Sequence, residues 1–600
     1  MNQTNSFKNR INSMRKSMAA NGLDAYVIPV TDPHMSEYLP AHWRTLEWAS
    51  GFTGSAGTLV FTQNFAGLWT DSRYFIQAEQ QLEGSGIELV KLLIPHTPEF
   101  IEWLRDSLAP GSKVGLDGSL MSRSLFELLE SNLKGKSIEV RANIDLVSEF
   151  WTNRPELPTE AIFEHPSKFV GQTRSEKLEA VRSMMKKQEA DYLVLSSLDD
   201  IAWLFNLRGS DVPYNPLFVA HALIGQEDAQ LFIDPSKVSD TIRRKLSRDG
   251  VKTHDYTESE LFLSKLPNTS KILIDPRRVS QNLPGAFPEG ASILYGINPT
   301  TLLKSCKTET EANHTRQTMI KDGVVLTKFF YWLTHTIGKE KITECSATEK
   351  LHELRKAQKD NVGESFGTIS AYGPHGAMPH YSATPESDLE ILQKSLYLLD
   401  SGGQYLGGTT DTTRVMSMGE ITEEEKVDYT LVLKGLIAVC TMRFPVGTKG
   451  WQLDALARAP LWMNGINYGH GTGHGVGYFL NVHEGPQNIS PTMNASAGMG
   501  AALQPGMITS VEPGIYRTGK HGIRLENLVL CVEDETTEFG SFLAFEVLTL
   551  APLFTNLVQK SMLSKAELQW LKSYNSLVLR KIGKYLTPEE KAWAKAESKI

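Results

Sequence analysis

Cysteine is scarce and scattered. Cys306, Cys345, Cys440 and Cys531 are the four in 600 residues, and no two stand in a CxxC spacing. This excludes a disulfide scaffold and a thiolate zinc site, and it suits a reducing compartment. A basic excess is missing too. The formal net charge is −8 with neutral histidines, so no global positive field draws nucleic acid or an anionic membrane, and neither is expected as a partner. No apolar run approaches the ~18 residues that suggest a membrane span. The first thirty residues scatter lysine and arginine along a helical pattern that runs into a strand. They lack an apolar stretch before a small-residue cleavage site, so no secretion signal is expected and the cytoplasm is the expected location.

The rest is an ordinary globular composition, 41% apolar and 22% charged, which excludes disordered and low-complexity classes. Length alone suggests about four domains. A faint internal repeat says more. Leu23–Ile28 resembles Ala190–Leu195, Ala66–Asp71 resembles Ala229–Asp234, and Lys113–Asp117 resembles Lys271–Asp275; Glu47–Phe52 and Ala202–Leu207 occupy corresponding places. The matched aspartates are offset by 167, 163 and 158 residues, a slow drift expected of a duplicated domain whose loops have changed length. Chance recurrence of short strands ending in Asp is the alternative, but four matches in one order favour duplication. Each copy alternates β-branched or aromatic runs with helical stretches and reads as α/β.

Trp151–Pro158, with two prolines among polar residues, reads as a linker, and a second boundary falls near Leu303–Thr310. The expected division is 1–155, 156–307 and 308–600. Glu309 to about Ile337 has the pattern of a long helix. Ser564–Glu567 and Thr587–Glu590 fit capping boxes near the end of the chain.

Residues that could carry chemistry cluster between 365 and 550. The apolar run Leu396–Leu399 ends on Asp400, and Asp411 follows after a glycine-rich stretch, as if a tight reversal set the two aspartates side by side. Asp400 alone would equally suit a turn residue closing a strand. Met507–Val511 runs into Glu512, and Glu526 lies in an apolar stretch that reads as a strand buried on both faces. A buried lone carboxylate must be protonated or meet a cation, and Arg524 could be that cation. Such pairing leaves unexplained why four carboxylates all sit at strand ends or within strands. The segment Gly469–Gly477 holds His470 and His474 among five glycines. Glycine on that scale opposes a helical zinc-binding pair and lets the backbone approach something closely. A phosphate loop would need a Lys-Ser/Thr that is absent. Asp400, Asp411, His474, Glu512 and Glu526 therefore suit two hard or borderline divalent cations better than one zinc ion, and such a pair activates water for hydrolysis.

These stretches, with Asn481–Pro486 and Thr409–Arg414, resemble the motifs of the aminopeptidase P family of metallopeptidases, whose relatives include prolidase and methionine aminopeptidase. The resemblance spans the chain. It implies two creatinase-type α/β N-terminal domains (1–155 and 156–307) and an α+β pita-bread catalytic domain with C-terminal helices (308–600). It also implies removal of an N-terminal residue that precedes proline. Asp411 and Glu526 would bridge two divalent ions, with Mn2+ expected ahead of Zn2+ or Co2+; Asp400 would bind one ion, and His474 and Glu512 the other. Glu512 is the implied general base toward a hydroxide between the ions. His380, His470 and His483 carry over as substrate contacts, His380 and His483 also as catalytic residues, and Arg524 as an orienting and substrate-site residue. Peptides are the implied partners, and a homodimer the implied assembly, with Leu568, Trp570 and Trp593 offering apolar faces to the same domain or to a second copy. Two segments depart from the pattern: Gly367 stands where proline is expected, and Ala371–Gly376 varies the usual run before His380. Prolidase is the alternative within the class, and a non-catalytic peptide-binding relative the alternative outside it.

Overall fold

In the computed structural model, residues 3–94, 97–491 and 501–600 are described. They form two compact units, residues 1–165 with 172–302, and residues 166–171 with 303–600.

The first unit contains the same sheet twice. One six-stranded sheet runs in the order Glu88–Lys91, Ala66–Thr70, Thr58–Thr62, Ala25–Pro29, Lys113–Leu116, Glu139–Arg141. The other runs Val251–His254, Ala229–Phe232, His221–Gly225, Tyr192–Leu195, Lys271–Ile274, Ser292–Tyr295. In both, the inner pairs alternate identically: the first strand in sequence pairs antiparallel with the second and parallel with the fifth.

The aspartates that revealed the repeat have matching local jobs. Asp24 and Asp191 each accept the backbone N–H of the lysine opening the neighbouring strand, both at 2.8 Å. Asp71, Asp117, Asp234 and Asp275 each accept the N–H two residues ahead, turning the chain as a strand ends. The stretch read as a linker begins tied down, because buried Trp151 stacks on Trp48 with ring centroids 5.6 Å apart.

The second unit is a set of antiparallel sheets covered by helices. Its largest sheet orders Arg443–Pro445, Gly540–Val547, Asn527–Thr537, Ile508–Val511, Gly473–Gly475 and Glu484–Ile489. A three-stranded sheet orders Ile369–Tyr372, Leu396–Ser401 and Thr412–Ser417, and the ribbon Gly514–Arg517 with His521–Arg524 falls in sequence between the large-sheet strands Ile508–Val511 and Asn527–Thr537. The long helix is Glu309–Thr336, begun by a capping box of Thr308 with Glu311. The expected boxes at Ser564 and Thr587 start helices Lys565–Ile582 and Pro588–Glu597. Each cap satisfies otherwise orphaned N–H groups and is worth about 1 kcal/mol.

Leu568 and Trp570 pack against the core of this unit, where Trp570 stacks on Tyr574 at 5.3 Å. Trp593 packs against Tyr331 and Phe554. All three therefore serve the interior of their own unit. Among the described residues no helix is long and apolar enough to cross a membrane.

Candidate metal centre

The three-stranded sheet delivers the first two carboxylates. Leu396–Ser401 is buried along its whole length, paired on one side with Ile369–Tyr372 and on the other with Thr412–Ser417. Asp400 stands opposite Thr413, and Asp411 immediately precedes that partner strand. The connection is more than the expected tight reversal. A short hairpin of Gly403–Tyr405 with Gly408–Thr409 intervenes, so the two aspartates meet diagonally across the ladder. Both are buried.

The large sheet delivers the rest. Glu512 follows Ile508–Val511 and donates its backbone N–H to Thr472 O at 2.7 Å. Glu526 is not inside a strand as expected. It occupies the two-residue break between His521–Arg524 and Asn527–Thr537, and its N–H reaches Thr413 O at 3.2 Å, tying the two sheets together. His474 lies on the short strand Gly473–Gly475. Glycine beside it is required, although for the protein's own backbone rather than a ligand's: a Cβ on Gly473 would come within 1.8 Å of Ser510 O.

These elements converge. Ligand atoms of Asp411, His474 and Glu526 all lie within 4.8 Å of one another. His474 Nε2 faces Asp411 Oδ2 and Glu512 Oε1, each at 3.5 Å. Its Nδ1 lies 2.9 Å from Gly475 O, a pure acceptor, so Nδ1 carries a proton and Nε2 is the nitrogen turned to the carboxylates. An imidazole nitrogen and carboxylate oxygens this close need a proton or a cation among them. Glu526 Oε1 and Asp400 Oδ1 are also buried without a hydrogen-bond partner. Burial, and then the charges of neighbouring carboxylates, push the Asp411 and Glu526 carboxyls well above their ordinary range. Burial raises Glu512 as well, against the pull of His474, Arg524 and His483. The donor set thus fits divalent cations, which would satisfy the orphaned oxygens and cancel the repulsion.

Arg524 does not neutralise Glu526, the pairing that remained open from sequence. Its Nη2 donates to Asp400 Oδ2 at 2.6 Å and to Pro379 O at 3.2 Å, its Nη1 to Tyr516 Oη at 2.7 Å, and its Nε to Thr413 Oγ1 at 3.2 Å. Thr413 in turn donates to Glu526 Oε2 at 2.9 Å. Tyr516 had no signal in the sequence beyond lying near Glu512. It hydrogen-bonds His470 Nε2 at 2.8 Å, and burial pushes its hydroxyl up to about 12. His470 Nδ1 meets Gly471 O at 2.7 Å, so both ring nitrogens are engaged within the protein. His483 sits edge-on to His474, ring centroids 4.3 Å apart. His380 is half-buried, next to the proline whose carbonyl Arg524 holds. Gly367 is exposed.

Residues 10–145 and 153–311 match the creatinase/prolidase N-terminal domain, 313–533 the metallopeptidase family M24, and 541–599 the C-terminal region of that peptidase family. A protein of Pyricularia oryzae named "Probable Xaa-Pro aminopeptidase P" is 39% identical, with 99% of each chain covered. The chain belongs to the aminopeptidase P family. A relative of the same name from Paracoccidioides brasiliensis is also 39% identical, over 98% of both chains. The crystal structure of X-prolyl aminopeptidase from Caenorhabditis elegans, described as a cytosolic enzyme with a di-nuclear active site, is 33% identical with a TM-score of 0.93 and 99% of each chain covered. Xaa-Pro dipeptidase from Bacillus anthracis shares the fold at 24% identity and a TM-score of 0.50, over 64% of this chain and 99% of its own. Creatinase-type N-terminal domains followed by a pita-bread catalytic domain are thus the family architecture, and the chain is a metallopeptidase.

Proposed function

We propose that this chain is an Xaa-Pro aminopeptidase that removes the N-terminal residue from peptides with proline in second position. The observation that carries the choice over prolidase is coverage. Aminopeptidase P relatives match end to end, whereas the dipeptidase fold accounts for 64% of the chain. The buried carboxylate and histidine cluster opposes a purely peptide-binding role, since four such carboxylates have no use without cations.

In this reading Asp400, Asp411, His474, Glu512 and Glu526 would hold two divalent ions, Mn2+ by proposal, with Asp411 and Glu526 as the central ligands. Ions of this kind supply a nucleophile from water at neutral pH and polarise the scissile carbonyl. Glu512 takes the proton from the attacking water, its carboxyl poised between the burial that raises its proton affinity and the cationic groups that lower it. Arg524 pairs with Asp400 and holds it in place. His380 and His483 contact the substrate and the developing oxyanion, while His470 reaches the same region through Tyr516. An imide bond to proline has no N–H to satisfy, and its ring restricts the residue before it, which suits a rigid pocket.

The proposed division remains 1–155, 156–307 and 308–600. A cytoplasmic location is supported by four unpaired cysteines and by the description of the nematode enzyme. A homodimer is supported by the exposed apolar pair Trp462 and Met463, which are 50% and 86% accessible. Sedimentation of a fully active 66.8 kDa monomer at micromolar concentration would rule the dimer out. The activity test compares Xaa-Pro-Xaa tripeptides, Xaa-Pro dipeptides and Xaa-Ala-Xaa tripeptides under Mn2+. Preference for the first supports the proposal, preference for the second moves the assignment to prolidase, and equal cleavage of the third overturns the proline specificity.

A further inference from the structure

Glu344 opens the helix Glu344–Lys356, outside the metal cluster, and its side chain is fully buried. Among the described residues no lysine or arginine forms an ion pair with it. Instead its two oxygens collect donors from one loop. Oε1 accepts the Tyr372 backbone N–H at 2.7 Å, and Oε2 accepts the Tyr381 hydroxyl at 2.8 Å and the Leu389 N–H at 3.2 Å. His375 Nδ1 lies 3.0 Å from both oxygens. A carboxylate only accepts, so His375 must carry its proton on Nδ1 and donate it. The His375 and Tyr381 rings lie against each other with centroids 4.4 Å apart.

The donors flank His380 on both sides. The loop's other side is also fixed. A Cβ on Gly522 would come within 1.6 Å of Gly376 O, so the loop lies directly on the strand His521–Arg524, and Arg524 holds Pro379 O. His375 belongs to the very run, Ala371–Gly376, that departs from the family pattern.

We propose that Glu344, through His375 and Tyr381, is the positioning residue that clamps the loop 372–389 and thereby sets His380 against the substrate. The inference rests on the proposed role of His380 at the metal centre. Donors from four points on one loop, converging on one fully buried carboxylate, make a rigid hub. Glu344→Gln keeps the shape but turns one oxygen into an NH2 group that must face donors.

The test uses the full-length, Mn2+-loaded enzyme. Glu344→Gln is expected to lower kcat/KM on Xaa-Pro-Xaa tripeptides by about tenfold to a hundredfold, the scale of a misplaced catalytic contact. Metal content should stay at the wild-type level. The double variant with His380→Ala should be no slower than His380→Ala alone, because Glu344 acts through that residue. Tyr381→Phe removes a single donor and should show a smaller loss with the same dependence on His380, so the comparison survives if the glutamine variant folds poorly. Independently of activity, amide exchange read by mass spectrometry should accelerate about tenfold across 372–389 in Glu344→Gln and stay unchanged across 396–417. Losses that multiply with His380→Ala, loss of metal, or unchanged exchange across 372–389 would each overturn the proposal. Failure of the wild-type enzyme to cleave any Xaa-Pro peptide would instead remove the proposed function, and the exchange result would still decide the clamp.

Discussion

Removing one negative charge from the centre should have opposite effects on the metal-free and metal-loaded protein. Asp411 and Glu526 bring ligand oxygens within 4.8 Å of each other in a buried site. Two unit charges at that separation repel by about 3.5 kcal/mol at an effective dielectric constant of ~20. The alternative is to bind a proton, which costs about 4–5 kcal/mol at pH 7.5 for a carboxyl of ordinary pKa near ~4. Burial, the largest cause of the raised Asp411 and Glu526 pKa values, tips the choice toward the proton. By either route the metal-free centre bears a cost of roughly 3–5 kcal/mol. Asp411→Asn has nearly the same shape and removes most of it. Metal-free Asp411→Asn should therefore be more stable than metal-free wild type by about 2–3 kcal/mol, raising the melting temperature of the catalytic unit by about 5 °C. With excess Mn2+ the order should reverse, because the variant loses a ligand and with it the stabilisation that binding confers. Calorimetry of both proteins in chelator and in Mn2+ gives all four values. A metal-free variant melting at or below metal-free wild type would refute the electrostatic account of the cluster.

Asp411→Ala and Glu526→Ala should each lose both ions and all peptidase activity, and elemental analysis finding one ion or none per active wild-type chain would sink the two-metal assignment. Arg524→Lys should fail to rescue the site, because one ammonium cannot replace a guanidinium serving Asp400, Tyr516, Thr413 and Pro379; a kcat within about tenfold of wild type would contradict this. In the first unit, burial holds His221 well below the ordinary imidazole range, with His34 adding to the effect. The unfolded chain therefore binds a proton the folded one refuses, so this unit loses stability as pH falls below about 6.5, by about 1.4 kcal/mol per pH unit for that residue. His221→Gln should flatten part of this slope in denaturant titrations between pH 7 and pH 5, and an unchanged slope would show that His221 is not its source.

Much of this molecule could be read from residue order, for reasons that are local. The repeat was visible because Asp24, Asp71 and Asp117 and their counterparts Asp191, Asp234 and Asp275 each bond a backbone N–H at a strand end, a task that constrains side chain and spacing together. The caps at Ser564 and Thr587 are likewise four-residue events. The five residues of the centre stood out because buried carboxylates and a glycine-flanked histidine are costly or rare unless they serve something.

Pairing across the fold was a different matter. From sequence, Arg524 could have belonged to Glu526 two residues away; the interruption between strands at Leu525–Glu526 turns the two apart, and Arg524 meets Asp400 from another sheet. Trp570 and Trp593 looked equally suited to an interface and to a core until the fold set Trp570 against the core beside Tyr574 of its own helix and Trp593 against Phe554. Tyr516 and Glu344 were silent because a tyrosine after a turn and a glutamate at a helix start are ordinary in one dimension. Their roles arise only where distant strands and loops point several donors at the same atom, which is a property of tertiary packing and of no local stretch of chain.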